Sequence, residues 1–438
     1  MDKRNKLRTA VELGKDVLIV LLLCSAVWML SRGGLINRLN LGEEDAAQVS
    51  GLQNNAAIQE EAVRPMRLTA TLQGGSEPMR YAAQYDAQAV DTLFQQTAGL
   101  LMETLSSAER PQSVTRREWE QALARAPGLC FDFQGEMPLS VLTGWLSVEL
   151  SGPDALVRRV VLTVWEGAAA LYYYDLNTQS WYRCVTQVVG EAQLENVLAG
   201  LSSNGAYYAF ESGLTAGMAE DTLLVPSPDP LRVYTAANPM SAGRTALEGL
   251  MEDLGFNLAA CVFYPGAGEE VGRSGSDTLR MSKEGVVEYH TDEDGSRQFP
   301  VNLSDGESGL FAAADACSRI LWQAVHSRSG QARTYLSRVE QTQEGWRLEF
   351  EYGLNGVPVS LKGGPAASFE VVRDQITAFT LRLRSYAEEE ERQIILPPVQ
   401  AAAAMEALDL NGRELQVMYQ DGGEERIFPA WTAVSEEG

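Results

Sequence analysis

The chain alternates between segments with helical periodicity and short runs with the two-residue periodicity of strands. Residues 86–105 place apolar side chains on one stripe, which predicts an amphipathic helix. Three runs within residues 157–188 alternate β-branched or aromatic residues with polar ones and predict an antiparallel meander. A second meander is predicted from residue 332 onwards, where turn pairs such as Asn355-Gly356 separate the runs. The predicted fold class is therefore α+β, with antiparallel sheets and packed helices.

Shorter signals complete this pattern. Thr115 and Glu118 have the spacing of a capping box and predict the start of another helix. The glycine-rich stretch 266–275 and the acidic run Glu388–Glu391 are both interpreted as loops, because glycine and clustered charge are typical of solvated turns.

Breaks in the periodicity divide the part after residue 65 into three predicted domains. The clearest break is the segment 212–230, which contains three prolines near its end and little periodicity. The domains are predicted over residues 66–212, 230–328 and 330–435. The last two share a style of helix plus meander, so they are predicted to be related by duplication.

The N-terminal part follows a different pattern. Residues 17–30 carry no charge, and residues 1–16 carry five positive against three negative charges. This asymmetry predicts a transmembrane helix over residues 17–36, with residues 1–16 as a cytoplasmic tail. Residues 37–65 are polar and lack aromatic residues, so they are expected to form a stalk. The three domains are then extracytoplasmic parts of a single-pass protein of the cell membrane.

The length of the apolar run leaves two alternatives open. Its 14 residues cover roughly 21 Å of a hydrocarbon layer of roughly 30 Å. A cleaved signal peptide has an apolar stretch of this length, and Ser31-Arg32-Gly33 loosely fits a cleavage site. An uncleaved anchor is favoured, because Arg32 is a poor neighbour for cleavage. The candidate contact of this helix with a partner helix consists of Leu21, Cys24, Ser25 and Trp28.

The composition excludes several classes of function. The 438 residues include 59 Asp and Glu against 35 Lys and Arg, a net charge of −24 that repels nucleic-acid backbones. Only two histidines are present, His290 and His326, too few for a histidine-rich metal site. No sequence signature of a cofactor site, a metal site or a catalytic nucleophile is found. This absence favours a protein that is not an enzyme and needs no cofactor, but the 59 acidic residues leave a glycosidase with paired carboxylates open.

An aromatic group in the first meander is the candidate binding surface. It consists of Trp165, Tyr172, Tyr174 and Trp181. Two interpretations stay open. The four side chains form either a cross-strand ladder that stabilises the sheet or a platform on which a carbohydrate or peptide stacks.

Several short segments follow one another in the order of a known family. They are Phe131–Leu139, the Asn238-Pro239 turn, Thr278–Arg280, Val286–Tyr289, Asn355–Val359, Ala378-Phe379 and Pro429–Trp431. Together with the basic tail, the single membrane helix and the acidic outer part, they resemble the YycH/YycI family of membrane-anchored regulators from Gram-positive bacteria. The length of the chain favours the YycH branch of that family.

The resemblance implies a function as well as a fold. Proteins of this family regulate without catalysis: they associate with one another and with an essential sensor histidine kinase of the WalK/YycG type, which controls cell-wall metabolism. For this chain the resemblance implies two partners, such a kinase and a YycI-like sister regulator, contacted within the membrane and outside the cell. Two other functions stay open: a wall-facing module that binds carbohydrate or peptide and, less favoured, an envelope hydrolase.

Overall fold

The computed structural model describes residues 54–74, 79–215, 217–292, 298–302 and 309–435. The predicted cytoplasmic tail, the predicted transmembrane helix and most of the predicted stalk lie outside these ranges. Within them, no helix is long and apolar enough to cross a membrane. Residues 54–62 are helical, and the described residues from 59 onwards belong to one compact unit.

The first part of the fold consists of seven strands and four helices: β1 Arg67–Leu72, β2 Met79–Ala83, α1 Ala87–Ser107, β3 Gln112–Val114, α2 Arg116–Ala124, β4 Gly128–Pro138, α3 Leu139–Trp145, β5 Leu156–Trp165, β6 Ala168–Asp175, β7 Ser180–Gly190 and α4 Glu191–Leu198. The strands form one antiparallel sheet in the order β2-β1-β4-β5-β6-β7-β3. Helices α1 and α2 cover opposite faces of this sheet, because their buried residues belong to two different apolar clusters. The predicted first meander is present as β5, β6 and β7.

Local sequence signals explain where the first two helices begin. The Asp86 carboxylate accepts hydrogen bonds from the backbone N–H groups of Gln88 and Ala89, at 3.0 and 3.3 Å, and caps α1. The predicted capping box is present at α2: the Glu118 N–H donates to the Thr115 hydroxyl, and the Thr115 N–H donates to the Glu118 carboxylate. Each cap stabilises its helix by about 1 kcal/mol, so these two starts are encoded locally.

The rest of the chain forms sixteen further strands and three α-helices within the described ranges: β8 Tyr207–Tyr208, β9 Leu223–Leu224, β10 Leu231–Ala237, α5 Arg244–Asp253, β11 Val262–Pro265, β12 Glu269–Ser274, β13 Asp277–Ser282, β14 Val286–Thr291, α6 Gly309–Leu321, β15 Arg333–Gln341, β16 Gly345–Leu354, β17 Val357–Leu361, β18 Ala367–Val372, β19 Gln375–Arg382, β20 Ser385–Gln393, α7 Pro398–Ala407, β21 Glu414–Asp421, β22 Arg426–Ile427 and β23 Pro429–Val434. Eleven strands form one sheet in the order β11-β12-β13-β14-β19-β18-β16-β17-β21-β23, with β15 paired to β16. Its pairs are antiparallel except for β17 and β21. Strand β10 lies between β20 and β22 in a three-stranded sheet, and β8 pairs with β9. The α+β class with antiparallel sheets is confirmed.

One apolar cluster joins the two large sheets. It contains residues of the seven-stranded sheet, of α6 and of the eleven-stranded sheet. Helices α3 and α6 approach closely in this region: a Cβ added at Gly144 would lie 2.3 Å from the ring of Phe311. The core is therefore continuous across the parts of the chain that the sequence assigns to separate domains. Strand β14, from the predicted second domain, also pairs with β19, from the predicted third domain. The division into three domains and the duplication stay predictions.

The glycine-rich stretch interpreted as a loop contains strand β12. Gly272 lies within this strand, opposite Leu279 of β13. A Cβ at Gly272 would lie 2.4 Å from the sulfur of Met251 on α5. The glycine therefore allows a helix to pack closely on the strand, and it does not mark a turn.

The acidic run Glu388–Glu391, also interpreted as a loop, lies in strand β20. Antiparallel pairing with β10 places Glu388 opposite Tyr234. Three arginines neutralise most of the run. Arg232 and Arg392 pair with Glu388, and Arg426 pairs with Glu389 and Glu391. The charge balance across strands overrides the preference of clustered glutamates for a solvated loop.

Candidate functional site

A buried group of charges lies where the seven-stranded sheet meets strand β21. We call it the junction cluster. Its members come from five separate parts of the chain: β1, β4, β5, the loop before β9 and the start of β21. They are Arg67, Asp132, Arg158, Arg159, Asp221 and Glu414.

Glu414 binds arginines of the first sheet through both carboxylate oxygens. Its Oε1 lies 2.9 Å from Arg67 Nη2, and its Oε2 lies 2.7 Å from Arg158 Nη2 and 2.9 Å from Arg159 Nη2. Asp132 Oδ2 accepts hydrogen bonds from Arg67 Nη2 at 2.7 Å and from Arg159 Nε at 2.8 Å. The two carboxylates thus share the same arginines across the boundary between the sheets.

The charges of the junction cluster balance. Arg159 also pairs with Asp221, so three guanidinium groups face three carboxylates. The side chains of Arg67 and Glu414 are each 2% exposed. Charges buried to this degree persist in a folded protein only when they are paired and hydrogen-bonded.

The arginines keep both central carboxyl groups ionised. Burial acts to raise the pKa of Glu414, but the three arginines outweigh it and lower that pKa to about 2. Burial opposes ionisation of Asp132 as well, and Arg67 and Arg159 hold its pKa far below its usual range. Groups ionised so firmly at neutral pH are unsuited to proton transfer, and the arrangement instead ties two sheets together.

Neutral hydrogen bonds extend the contact between the sheets. The backbone N–H of Val417 donates to the Tyr85 hydroxyl oxygen at 3.0 Å, and the Gln134 amide donates to Gln416 at 2.9 Å. The Asn355 amide donates to the carbonyl of Tyr85 at 3.0 Å. These bonds select one relative orientation of the two surfaces, because each needs a specific partner.

A bulge in β4 brings this strand against β15. The register of β4 with β5 shifts between Asp132 and Met137, and Gln134 has a left-handed φ of 70°. A Cβ at the next residue, Gly135, would lie 2.2 Å from the carbonyl oxygen of Leu336 on β15. The two backbones therefore touch at a position that only glycine fits.

Glu351 is a partly buried carboxyl group near this contact, on β16 opposite Tyr335. Burial, and then the neighbouring Glu349, raise its pKa to about 7 from 4.5. A pKa that is higher in the folded chain contributes stability that is present below pH 4.5 and is lost as the pH rises through 7.

We therefore expect Glu351→Gln to stabilise the protein by about 2–3 kcal/mol at pH 8, with a gain that shrinks as the pH falls towards 4.5. Urea unfolding of the full chain at several pH values measures this. Glu340→Gln, at an exposed position of the neighbouring strand β15, is the matched control and should change little at any pH. A gain for Glu351→Gln that is independent of pH would contradict the assignment.

Two members of the candidate aromatic surface, Tyr172 and Trp165, are covered by neighbouring side chains. Tyr172 is 1% exposed and packs with Trp119 of α2. The guanidinium groups of Arg183 and Arg125 lie over the Trp165 ring, 4.0 and 5.2 Å from its centre. These contacts favour the interpretation as a ladder that stabilises the sheet.

The remaining pair of that surface is half-buried. Tyr174 and Trp181 lie opposite each other on β6 and β7, with ring centres 4.9 Å apart. Their role as a binding surface stays a prediction. The candidate membrane contact of Leu21, Cys24, Ser25 and Trp28 lies outside the described residues.

The sequence patterns do not predict the junction cluster as a whole, although two of its parts leave a local signal. Arg158-Arg159 interrupts an apolar strand, and Asp132 lies between two phenylalanines. A charge inside an apolar strand needs a partner, but 347 residues separate Arg67 from Glu414. In the described part of the chain, no group of three or more His, Cys, Asp or Glu side chains is arranged to hold a metal ion.

Comparison with known proteins shows the fold. No protein-family model matches the sequence, and no curated protein matches it. The crystal structure of YycH from Bacillus subtilis is similar to this chain, with a TM-score of 0.55 and 11% sequence identity, over 87% of this chain and 95% of that chain. At this identity the similarity shows a shared fold, and the YycH-like fold that the sequence resemblance implies is confirmed.

Proposed function

We propose that the protein is a non-catalytic, membrane-anchored regulator of the YycH/YycI family that modulates a sensor histidine kinase of the WalK/YycG type. The observation that carries this proposal is the similarity to YycH, which extends over 87% of this chain and 95% of that chain. The order of short segments that resemble the family supports it independently. A YycI-like sister regulator is the second proposed partner.

The proposal places the chain across the cell membrane. Residues 1–16 are then cytoplasmic, residues 17–36 form the transmembrane helix, and the remainder is extracytoplasmic. The basic flank of the apolar run supports this orientation. Contact with the kinase is proposed both through the membrane helix and through the extracytoplasmic part.

The junction cluster offers a physical basis for such regulation. The two large sheets share one apolar core and a set of buried ion pairs, so a contact made by either sheet acts on a connected body. A regulator that binds one kinase state more tightly by about 1–3 kcal/mol shifts the signalling equilibrium roughly 5- to 150-fold. No catalytic step is needed for such a shift.

Crosslinking within the membrane tests the proposed partner. A photoreactive residue replaces Leu21 or Trp28 in the full chain, which is expressed in cells that contain the kinase and the sister regulator. We expect light-dependent products with one or both proteins. Leu23 lies on the opposite side of the proposed helix and is the matched control, with few such products expected. Recovery of neither protein from Leu21 or Trp28, or equal yields from Leu23, would contradict a specific helix contact.

A further inference from the structure

A cavity of about 180 Å³ lies where the segment before β1 meets α1, β10 and β15. Its charged lining consists of Glu61, Arg64, Asp91, Arg232 and Arg333. The whole chain has a net charge of −24, yet this lining contains three arginines and two carboxyl groups. The cavity therefore offers both signs of charge, with an excess of cations, on an acidic protein.

Two of the arginines keep donors for a ligand. Asp91 accepts hydrogen bonds from Arg64 Nη1 and Arg333 Nη1, each at 3.1 Å, and Arg232 Nη1 pairs with Glu388. Among the described residues, no further carboxylate accepts a hydrogen bond from the other nitrogens of Arg232 or Arg333. Their side chains are 39% and 45% exposed, so a ligand can reach both. Planar guanidinium donors suit a carboxylate, which can accept two parallel hydrogen bonds.

Glu61 supplies the opposite charge. Within the described ranges, its nearest ion-pair partner is Nδ1 of His326, at 4.0 Å. Burial is the main influence on Glu61 and raises its pKa, against the opposing effect of nearby cations. Within the described ranges, no cation approaches the Glu61 carboxylate more closely than this 4.0 Å, so an ammonium group in the cavity would offset the cost of its partial burial.

We propose that this cavity binds a small zwitterion of the α-amino-acid type, with its carboxylate on Arg232 and Arg333 and its ammonium on Glu61. A simple anion would give Glu61 no direct cationic partner, and a simple cation would face three arginines. The cavity volume equals that of roughly six water molecules in the liquid, which is enough for a small amino acid. Tyr335 and Gln331 also line the cavity.

A ligand bound in this way would connect three parts of the fold. Glu61 precedes β1, whereas Arg232 and Arg333 lie on β10 and β15, in two different sheets. Binding would therefore link the segment that leads into the first sheet with the other two sheets. The inference goes beyond the proposed regulation of a kinase and does not depend on it.

Isothermal titration calorimetry of the full chain in lipid nanodiscs tests this site. The probes are glycine, L-alanine, D-alanine and L-glutamine, with acetate and methylammonium as molecules that carry one charge. We expect saturable binding of at least one amino acid, and binding at least about ten-fold weaker for both single-charge probes.

Substitutions then locate the binding. Arg232→Gln, Arg333→Gln and Glu61→Gln should each weaken it by at least about ten-fold, because each removes a charged hydrogen-bond partner. Arg280→Gln is the matched control: this arginine is exposed, pairs with Glu269 and is not part of the lining. It should leave the affinity unchanged.

Three results would overturn the proposal. The first is the absence of saturable binding for all four amino acids up to about 10 mM. The second is an affinity for acetate or methylammonium equal to that for the amino acids. The third is unchanged binding by the Arg333→Gln and Glu61→Gln variants, each shown by its thermal unfolding to be folded.

Discussion

Replacing Glu414 by Gln is expected to lower the free energy of unfolding by about 3–5 kcal/mol at pH 7. The substitution keeps the shape of the side chain and removes its charge. Arg67, Arg158 and Arg159 then lose a carboxylate that they share at 2.7–2.9 Å. Their guanidinium groups stay largely buried, so the cost of their desolvation is no longer offset.

Equilibrium urea unfolding of the full chain measures this loss. The matched control is Glu370→Gln, because Glu370 forms a surface ion pair with Arg347 at 2.8 Å and both side chains are about half exposed. We expect the control to change the free energy of unfolding by less than about 1 kcal/mol. Equal losses for the two substitutions would contradict the assignment of Glu414 to a buried, shared ion pair.

The effect of Glu414→Gln should also depend on pH. The pKa of Glu414 is about 2 in the folded chain, whereas the ordinary pKa of a glutamate is 4.5. A lowered pKa contributes stability that is fully present above pH 4.5 and is lost as the pH falls towards 2. The difference in the free energy of unfolding between the unchanged protein and the variant should therefore become smaller below pH 4.5.

Replacing Gly135 by Ala is expected to destabilise the protein by about 3 kcal/mol, near the upper end for added volume in a packed core. The new Cβ would lie 2.2 Å from the carbonyl oxygen of Leu336 and 2.5 Å from Cα of Ser337. Both obstructing atoms belong to the backbone of β15, so no side chain can rotate away. Strands β4 and β15 must move apart, which also strains the hydrogen bond from the Val339 N–H to Glu136.

Gly99→Ala is the control for this substitution. Gly99 lies in the interior of α1, and nothing lies within 4 Å of an added Cβ. Alanine is the better helix former, so Gly99→Ala should stabilise the protein by about 0.5–1 kcal/mol. Thermal unfolding of both variants separates the two cases. A Gly135→Ala variant as stable as the unchanged protein would show that β4 and β15 are not in close contact.

Elements with local signals could be predicted from the sequence. The stripe over residues 86–105 is α1, and the Thr115–Glu118 capping box opens α2. The Asn355-Gly356 pair forms the turn between β16 and β17, with φ of 51° and 81°. In each case the residues that determine the structure are near neighbours in the chain, so the local sequence is sufficient to predict the element.

Elements that depend on distant partners could not be predicted in this way. A glycine is needed at position 272 because Met251 of α5 packs against it. Glu388 is stable within a strand because Arg232 on the neighbouring strand neutralises its charge. The junction cluster is the strongest case, because Glu414 alone gives no sign of the arginines that it binds. Tertiary contacts override local preference at these positions.

The similarity to YycH and the junction cluster support the proposal in different ways. Because the sequence identity is 11%, the comparison with YycH shows a shared fold. The junction cluster and the common apolar core add a physical reason why a contact at one sheet would be felt at the other.

The autophosphorylation rate of the WalK/YycG-type kinase, measured in lipid nanodiscs with and without the full chain, tests the regulator proposal most directly. The proposal predicts a saturable change of roughly five-fold or more in either direction, as expected for a coupling free energy of 1–3 kcal/mol. A kinase rate that stays the same at every ratio of the two proteins, in nanodiscs shown to contain both, would contradict it.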